Sequence, residues 1–493
     1  MILWYRQVYM DHNATTPVAP EVRRAMAKVL ESAHGNPSSL HTQGREARGL
    51  MDTARRQVAE LLGAKPEQLF FTSGGTEASN TVIKGVFGMA GKGHVVTTLI
   101  EHDCVLGACR QVEELGGTVT RVAAGPDGRV RLEDIRAALR PDTVLVSVMH
   151  ANNETGAIQP VAEIAALAHE RGIPFHTDAV QSVGKIPVSV TELGCDFLTC
   201  SSHKINGPKG CGVIYWRGQV PWRPLIFGGD QESHLRGGTE AVHQIVGFGV
   251  AAELARKRLA AGERARLAVL RERLLTGIRR LVPEIRVHES APEHQLSGTL
   301  NLMFPGCEGI RLLAGLDCHG VAVSIGSACT ADRIEPSHVL LGMGVSAAEA
   351  LSSIRVSMGS TTMARDVDYF LKALQEVLKG DPHGFAYLDP QHLTEARIKS
   401  PETFLIDLRF PYERMLAAGI PGAKEWSHIG FERYFRQIPK DREIIMICAT
   451  GILSMSAGYR LAAHGHPRVR VVYGGYNAWK PLHPGLLERL NGK

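Results

Sequence analysis

The sequence predicts an α/β protein: a mostly parallel seven-stranded sheet with helices on both faces, a smaller α+β domain, and a small α/β unit at the C-terminus. Three observations predict it. Short apolar runs at 95–99, 144–149, 175–178, 197–200 and 212–215 alternate with segments of helical spacing, as in a sheet buried on both faces. Polar residues gather just beyond those runs, where open α/β sheets bind ligands: His102, Asn153, Asp178, Gln181 and Lys204. The pattern then restarts after Lys379-Gly380-Asp381-Pro382-His383-Gly384, a polar Pro/Gly stretch typical of a domain boundary. At 493 residues, two or three domains are expected.

In chain order, Met10 to Pro17 is polar and turn-rich, and a helix is predicted over 20–32. The polar loop Gly35 to Gly44 precedes a second helix. Phe70 to Asn80 reads as a strand end, a Gly-Gly turn and a helix start. Backbone N–H groups at Gly75 and the Thr76 hydroxyl could cradle an anion there, at the positive end of the helix. Strands and helices alternate up to residue 215. A Gly-rich loop, 228–239, ends at Thr239. Helices over 244–281 lead to a second domain with strands at 299–304, 321–324 and 353–358 and a closing helix over 364–378. The last unit has predicted strands at 404–407, 443–448 and 469–473. Residues 1–10 carry no motif.

Composition narrows the classes. Hydrophobic residues make up 44% and charged residues 21%, ordinary for a globular protein, and the net charge of +5 is small for the length. Arginines crowd 264–280, but Leu267, Leu270, Leu274 and Ile278 recur beside them at helical spacing. They form the wet side of an amphipathic helix rather than a nucleic-acid surface. No stretch is long enough to span a bilayer, and the N-terminal apolar run is too short for a signal peptide. Nine cysteines without a CxxC pair indicate neither a zinc site nor a disulfide framework. A cytoplasmic protein with reduced thiols is expected, with no metal, membrane or nucleic-acid partner.

Chemistry centres on Ser201-Ser202-His203-Lys204, followed by a Gly/Pro-rich turn. A lysine held between two strands suits Schiff-base formation. Asp178, one strand upstream, supplies an acid for a pyridine nitrogen, and that pairing is what pyridoxal phosphate requires. From about Tyr9 to Leu378 the chain resembles the cysteine desulfurases of the class V aminotransferase group. The shared motifs are MDHNATTP, GNPSSLHTQG, FTSGGTEASN, EH, NNETGAIQP, HTDAVQSVGK, SSHKINGPKGCG, GGDQESHLRGGT, GSACT and SSIRVSMG.

The resemblance implies a fold type I pyridoxal 5'-phosphate (PLP) enzyme acting on L-cysteine as a homodimer. It makes Lys204 the cofactor lysine, Asp178 the partner of the ring nitrogen, Gln181 the donor to the phenolic oxygen and His102 the imidazole over the ring. Gly75, Thr76, Ser201 and His203 would hold the phosphate, with Thr239 reaching that of the neighbouring subunit. Asn13, Asn153 and Arg355 would bind the substrate carboxylate. Cys329, in GSACT, would take sulfur as a persulfide and release alanine. It implies residues 1–380 as the desulfurase, with a large domain of about 15–260 and a small domain of about 261–380 that takes in the N-terminal segment.

Residues 381–493 resemble a rhodanese, through LIDLR, GIPGA, CATGILS and GGYNAW, with Cys448 the sulfur-carrying thiol. Leu453 stands where many rhodaneses carry arginine, which disfavours thiosulfate as donor and favours sulfur arriving from Cys329. The expected acceptors are an iron–sulfur scaffold or a thiolation protein. Selenocysteine lyase activity, or a non-catalytic docking role for the last unit, are the competing readings.

Overall fold

The computed structural model describes residues 7–326, 335–379, 385–417 and 419–487. Seven strands form the central sheet, in the order Leu69–Thr72, Gly212–Trp216, Phe197–Ser201, Phe175–Asp178, Thr143–Ser147, His94–Thr98 and Thr118–Val122. Only Gly212–Trp216 runs antiparallel to its neighbours. Successive residues on a strand face opposite sides, and here both sides are covered. Val96, Val146, Leu198 and Val213 enter one core with the helices Thr42–Leu62 and Val242–Ala260. Val95, Leu145, Phe197 and Ile214 enter the other, with the helices Gly75–Ala90 and Asp103–Glu114. Two apolar faces explain the continuous apolar runs in the sequence.

The strand predicted over 144–149 stops at Ser147. The Met149 N–H turns away from the ladder and donates to Glu101 Oε1 at 2.9 Å. That departure opens the edge of the sheet where the site lies.

A second sheet, Ser353–Ser357, Thr299–Met303 and Arg286–Val287, is antiparallel and packs on the helices Glu263–Leu281 and Ala364–Leu378. Leu267, Leu270, Leu274 and Ile278 are buried there, while Arg266, Arg271 and Arg273 pair with Glu263, Glu289 and Asp368. Val8–Tyr9 pairs in parallel with Val321–Ala322, and Val8 and Met10 bury in this same core. The chain then crosses to the large sheet, where Thr16 Oγ1 donates to the His203 carbonyl at 2.7 Å. Residues 11–16 therefore bridge the two sheets.

The last unit is a five-stranded parallel sheet in the order Ala386–Leu388, Val469–Val472, Glu443–Ile447, Thr403–Asp407 and Lys424–Glu425. The two edge strands, three and two residues long, carry too little pattern to be read from sequence. Within LIDLR, Asp407 and Arg409 form a buried ion pair at 2.7 Å, with the guanidinium 3.7 Å from the Tyr476 ring centre. Each charge satisfies the other in a dry setting, so removing either alone would be costly.

This unit shares a core with the small domain. The helix Gly309–Cys318 packs on the helix Ile452–Ala463, and Ile310 and Ala314 join Phe385, Met455 and Leu461 in one apolar cluster. Around it, Ser456 Oγ donates to Asp317 Oδ2 at 3.0 Å and the Arg311 guanidinium lies 4.8 Å from the Tyr387 ring centre. Among the described residues, no helix is long and apolar enough to cross a membrane.

Ala314→Asp should separate the two units, because an unpaired carboxylate buried in that cluster costs about 3 kcal/mol or more. Limited proteolysis between residues 379 and 385 should accelerate by roughly a hundredfold, with both fragments still folded. An unchanged cleavage rate would show that the cluster does not hold them together.

Candidate active site

A cavity of about 400 Å³ opens at the C-terminal edge of the central sheet. Its walls come from elements distant in sequence. The helix Gly75–Ala90 points its N-terminus into it, the strand Phe175–Asp178 ends in Asp178, and the turn Ser202–Lys204 delivers Lys204. Asn13, Thr76, His102, Asn153, Gln181, Ser201, His203 and Arg355 also line it, so the structure brings together eleven residues expected from sequence.

Local folding fixes each one. A Cβ on Gly75 would come within 2.8 Å of Val180 Cγ2, so glycine lets the helix start lie against the strand end, with its first-turn N–H groups open to the cavity. Asp178 accepts the Val180 N–H on Oδ1 at 2.9 Å. Burial pushes its carboxyl above the usual range, opposed by the charges of His102 and Lys204. Lys204 Nζ donates to the Asn13 and Ala14 carbonyls at 2.6 and 2.8 Å. His102 caps the helix Asp103–Glu114, its Nδ1 accepting the Cys104 N–H at 3.2 Å. An accepting Nδ1 places the ring proton on Nε2. His203 bonds Thr15 Oγ1 at 3.1 Å, and burial lowers it to about 4, so its ring is neutral.

Arg355 is buried and carries a second tie that the sequence did not reveal. Its Nη2 donates to Asp11 Oδ1 at 2.8 Å and its Nη1 to the Asn153 carbonyl at 3.3 Å. The salt bridge and the cavity-facing position coexist: Arg355 Nε and Asn153 Oδ1 are both buried without a hydrogen-bond partner among the described residues. Orphaned donors and acceptors of this kind are costly, and they mark where a polar ligand binds.

Thr239 lies exposed on its loop, outside this cavity. Cys329 falls outside the described residues, although Gly326, three positions before it, lines the cavity.

Several residues at the cavity escaped sequence reasoning. Glu154 is buried, and its Oε2 accepts from Ser337 Oγ at 2.6 Å. His338 donates from Nε2 to the Glu101 carbonyl at 2.8 Å, leaving Nδ1 as acceptor. Glu101, beneath the site, accepts Thr98 Oγ1 and the Met149 N–H on Oε1, and burial raises it to about 8. Lys185 donates to Asn13 Oδ1 and Gln181 Oε1. Glu101, Glu154 and Lys185 sit in motifs already singled out, EH, NNETG and DAVQSVGK, but side-chain direction within them is set by the fold; His338 lies outside every motif.

In the last unit, Cys448 follows the strand Glu443–Ile447 and is 1% exposed. Its sulfur accepts the Gly451 N–H at 3.1 Å and the Ser454 N–H at 3.4 Å, with Ser454 Oγ at 3.4 Å. The GGYNAW turn clamps this loop: Tyr476 N donates to the Cys448 carbonyl at 2.8 Å and Asn477 N to Ala449 at 3.0 Å. A side chain on Gly475, at φ +63°, would overlap the Cys448 carbonyl oxygen. Two N–H groups aimed at one sulfur stabilise negative charge there.

A lysine, a buried acid and a helix N-terminus around one cavity define a PLP-dependent enzyme of fold type I. The residues fit that cofactor: the Gly75 cradle for its phosphate, Asp178 for its ring nitrogen, Lys204 for its aldehyde. Residues 8–370 match the family model described as aminotransferase class-V, and residues 390–481 that of the rhodanese-like domain. The chain belongs to the class V aminotransferase family as a cysteine desulfurase with a C-terminal rhodanese domain.

Cysteine desulfurase IscS of Dictyoglomus turgidum is 43% identical over 376 residues, covering 76% of this chain and 95% of that protein. The mitochondrial cysteine desulfurase of Arabidopsis thaliana is 45% identical over 379 residues, covering 76% and 82%. A solved NifS-like protein superposes with a TM-score of 0.71 at 38% identity, covering 76% of this chain and all of that one. SspA in complex with cysteine gives 0.63 at 36% identity, covering 71% and 99%.

Glu101 gives a pH test. Its folded value of about 8 lies above the ordinary carboxyl value of 4.5, so the fold keeps it neutral while the unfolded chain ionises. Stability is lost as pH rises from about 4.5 to about 8. Glu101→Gln should remove that loss, stabilising the protein by about 3 kcal/mol or more at pH 8 and by about 1 kcal/mol at pH 5. Urea unfolding at both pH values checks it, and a pH-independent difference would contradict it.

Proposed function

We propose that the chain takes sulfur from L-cysteine onto Cys329 and passes it to Cys448 of its own rhodanese unit, from which acceptor proteins collect it. The observation that carries the reading is the pairing of a cofactor-type cavity with a thiol cradled by N–H groups, in two units that share one apolar cluster.

Bound PLP supplies an electron sink for the carbon next to the substrate amine. The residues of the chain do the rest. Arg355, with its free Nε, and Asn153 hold the substrate carboxylate, since a guanidinium fork orients it sharply. Gly75, Thr76, Ser201 and His203 seat the phosphate, and Asp178 holds the ring nitrogen. Lys204 and His102 exchange protons at Nζ and Nε2.

The Cys329 thiolate then attacks the substrate sulfur. An S–S bond forms, the Cβ–S bond breaks, and the two electrons released at carbon leave with alanine after protonation. In the hand-over, Cys448 thiolate attacks the outer sulfur of the Cys329 persulfide and Cys329 thiolate departs, so no external oxidant is needed.

Transfer within one chain is supported by the root of the Cys329 segment. Gly326 lines the cavity, and its neighbour Ile325 packs both on the small-domain core and on the cluster that contains Cys448. The cradle around Cys448 favours a sulfur carrier over a docking module. The reading includes a homodimer, in which exposed Thr239 serves the second copy, and a cytoplasmic setting, consistent with free thiols at every described cysteine. The acceptors are an iron–sulfur scaffold or a thiolation protein.

Mass spectrometry after turnover of sulfur-labelled L-cysteine tests the relay. Label is expected on both Cys329 and Cys448. Cys329→Ser should keep the visible cofactor band and lose alanine release by at least about a thousandfold. Cys448→Ser should keep alanine release within about twofold and stop delivery to an acceptor. Label on Cys448 in the Cys329→Ser protein would overturn the order of transfer.

A further inference from the structure

Lys185 is half-buried beside the site, and it does not border the main cavity. Its ammonium reaches two amide oxygens: Gln181 Oε1 at 2.6 Å and Asn13 Oδ1 at 2.7 Å. In its ammonium form, which two amide oxygens at short range favour, a lysine donates and does not accept, so both amides turn their oxygens toward it and their NH2 groups away. The consequence for Gln181 is specific. One N–H of its Nε2 goes to the Asn13 carbonyl at 2.9 Å, and the second remains for an acceptor in the cavity that Gln181 lines. For Asn13, Nδ2 is sent to the Asn153 carbonyl at 3.0 Å and Thr299 Oγ1 at 2.9 Å, tying the substrate side of the cavity to the second sheet.

We infer that Lys185 is a positioning residue, whose two hydrogen bonds lock the Gln181 amide with an N–H facing the phenolic oxygen of the cofactor. The inference rests on the proposed role of Gln181 and adds the group that enforces it. An amide free to rotate by half a turn costs nothing in shape, but it replaces a donor with a lone pair facing an anionic oxygen. That reversal is what the two bonds prevent.

The surroundings agree with a fixed, single-purpose group. Lys204, Arg355, His12 and His203 are the charged or titratable side chains that interact with it, all basic. Burial and the nearby Lys204 and Arg355 charges push its pKa well down. Two oxygens at short range offset that cost. Lys185 also faces a smaller second cavity, which Lys204 and Asn13 line too, together with His12 and Glu263.

The test titrates the visible absorption band of the bound cofactor in the holoenzyme. A donor to the phenolic oxygen holds the apparent pKa of that band down. Lys185→Met should raise it by about one pH unit, a tenfold change in the protonation constant, and Gln181→Met should raise it by a similar amount. The double variant should match Gln181→Met alone, because the lysine acts through the amide. Lys185→Gln, which keeps an N–H donor for the amide oxygen, should restore the wild-type value to within about 0.3 of a unit. Additive shifts in the double variant, no shift in Lys185→Met, or no rescue by Lys185→Gln would overturn the inference. If Gln181→Met itself leaves the band unmoved, it is the role given to Gln181 that fails.

Discussion

Everything at the site depends on one short crossing of the chain. Residues 11–16 leave the second sheet, where the Met10 carbonyl accepts from Ser357 N at 2.8 Å, and run over the end of the central sheet. The carbonyl of Asn13 then accepts from both Lys204 Nζ and Gln181 Nε2, at 2.6 and 2.9 Å. Its side chain accepts from Lys185 and donates toward Asn153. One residue thus ties Lys204, Gln181, Lys185 and Asn153 together. The two sheets cannot shift independently without breaking those bonds, so the segment couples domain placement to catalytic geometry.

The electrostatics follow from burial. Asp178, Glu101 and Glu154 are pushed toward the neutral form, and Lys185, His102 and His203 toward the uncharged base. Burial thus disfavours charge on each of these groups until a charged ligand arrives. The unpaired Arg355 Nε and Asn153 Oδ1 show where that ligand's charge would be met. The second site works differently. Cys448 is held by the Gly451 and Ser454 N–H groups and the Ser454 hydroxyl, and the residue before that serine, Leu453, packs into the shared apolar cluster rather than presenting a cation.

Much of this was legible in the sequence because the chemistry sits in contiguous motifs. The helices predicted over 20–32 and 364–378 match the structure, Pro20 opening the first and apolar spacing running through both. The strand run 144–149 was read two residues too long, because nothing local tells that Met149 N–H will be drawn off by Glu101. The Arg355–Asp11 pair joins residues 344 positions apart, and no local pattern announces such a bond. Lys185 was visible four positions after Gln181 in DAVQSVGK, but the direction of its ammonium is a property of the folded turn. The packing of Gly309–Cys318 on Ile452–Ala463 joins two units across a linker and left no mark in either motif set.

The account stands on Lys204 as the amine that holds the cofactor, with Lys185 half-buried nearby as the chemically equivalent alternative. Borohydride reduction of the holoenzyme followed by peptide mapping separates them directly. The expected result is a pyridoxyl mass on the peptide containing Lys204 and none on Lys185. Label on Lys185, or a protein that carries no reducible cofactor, would contradict it.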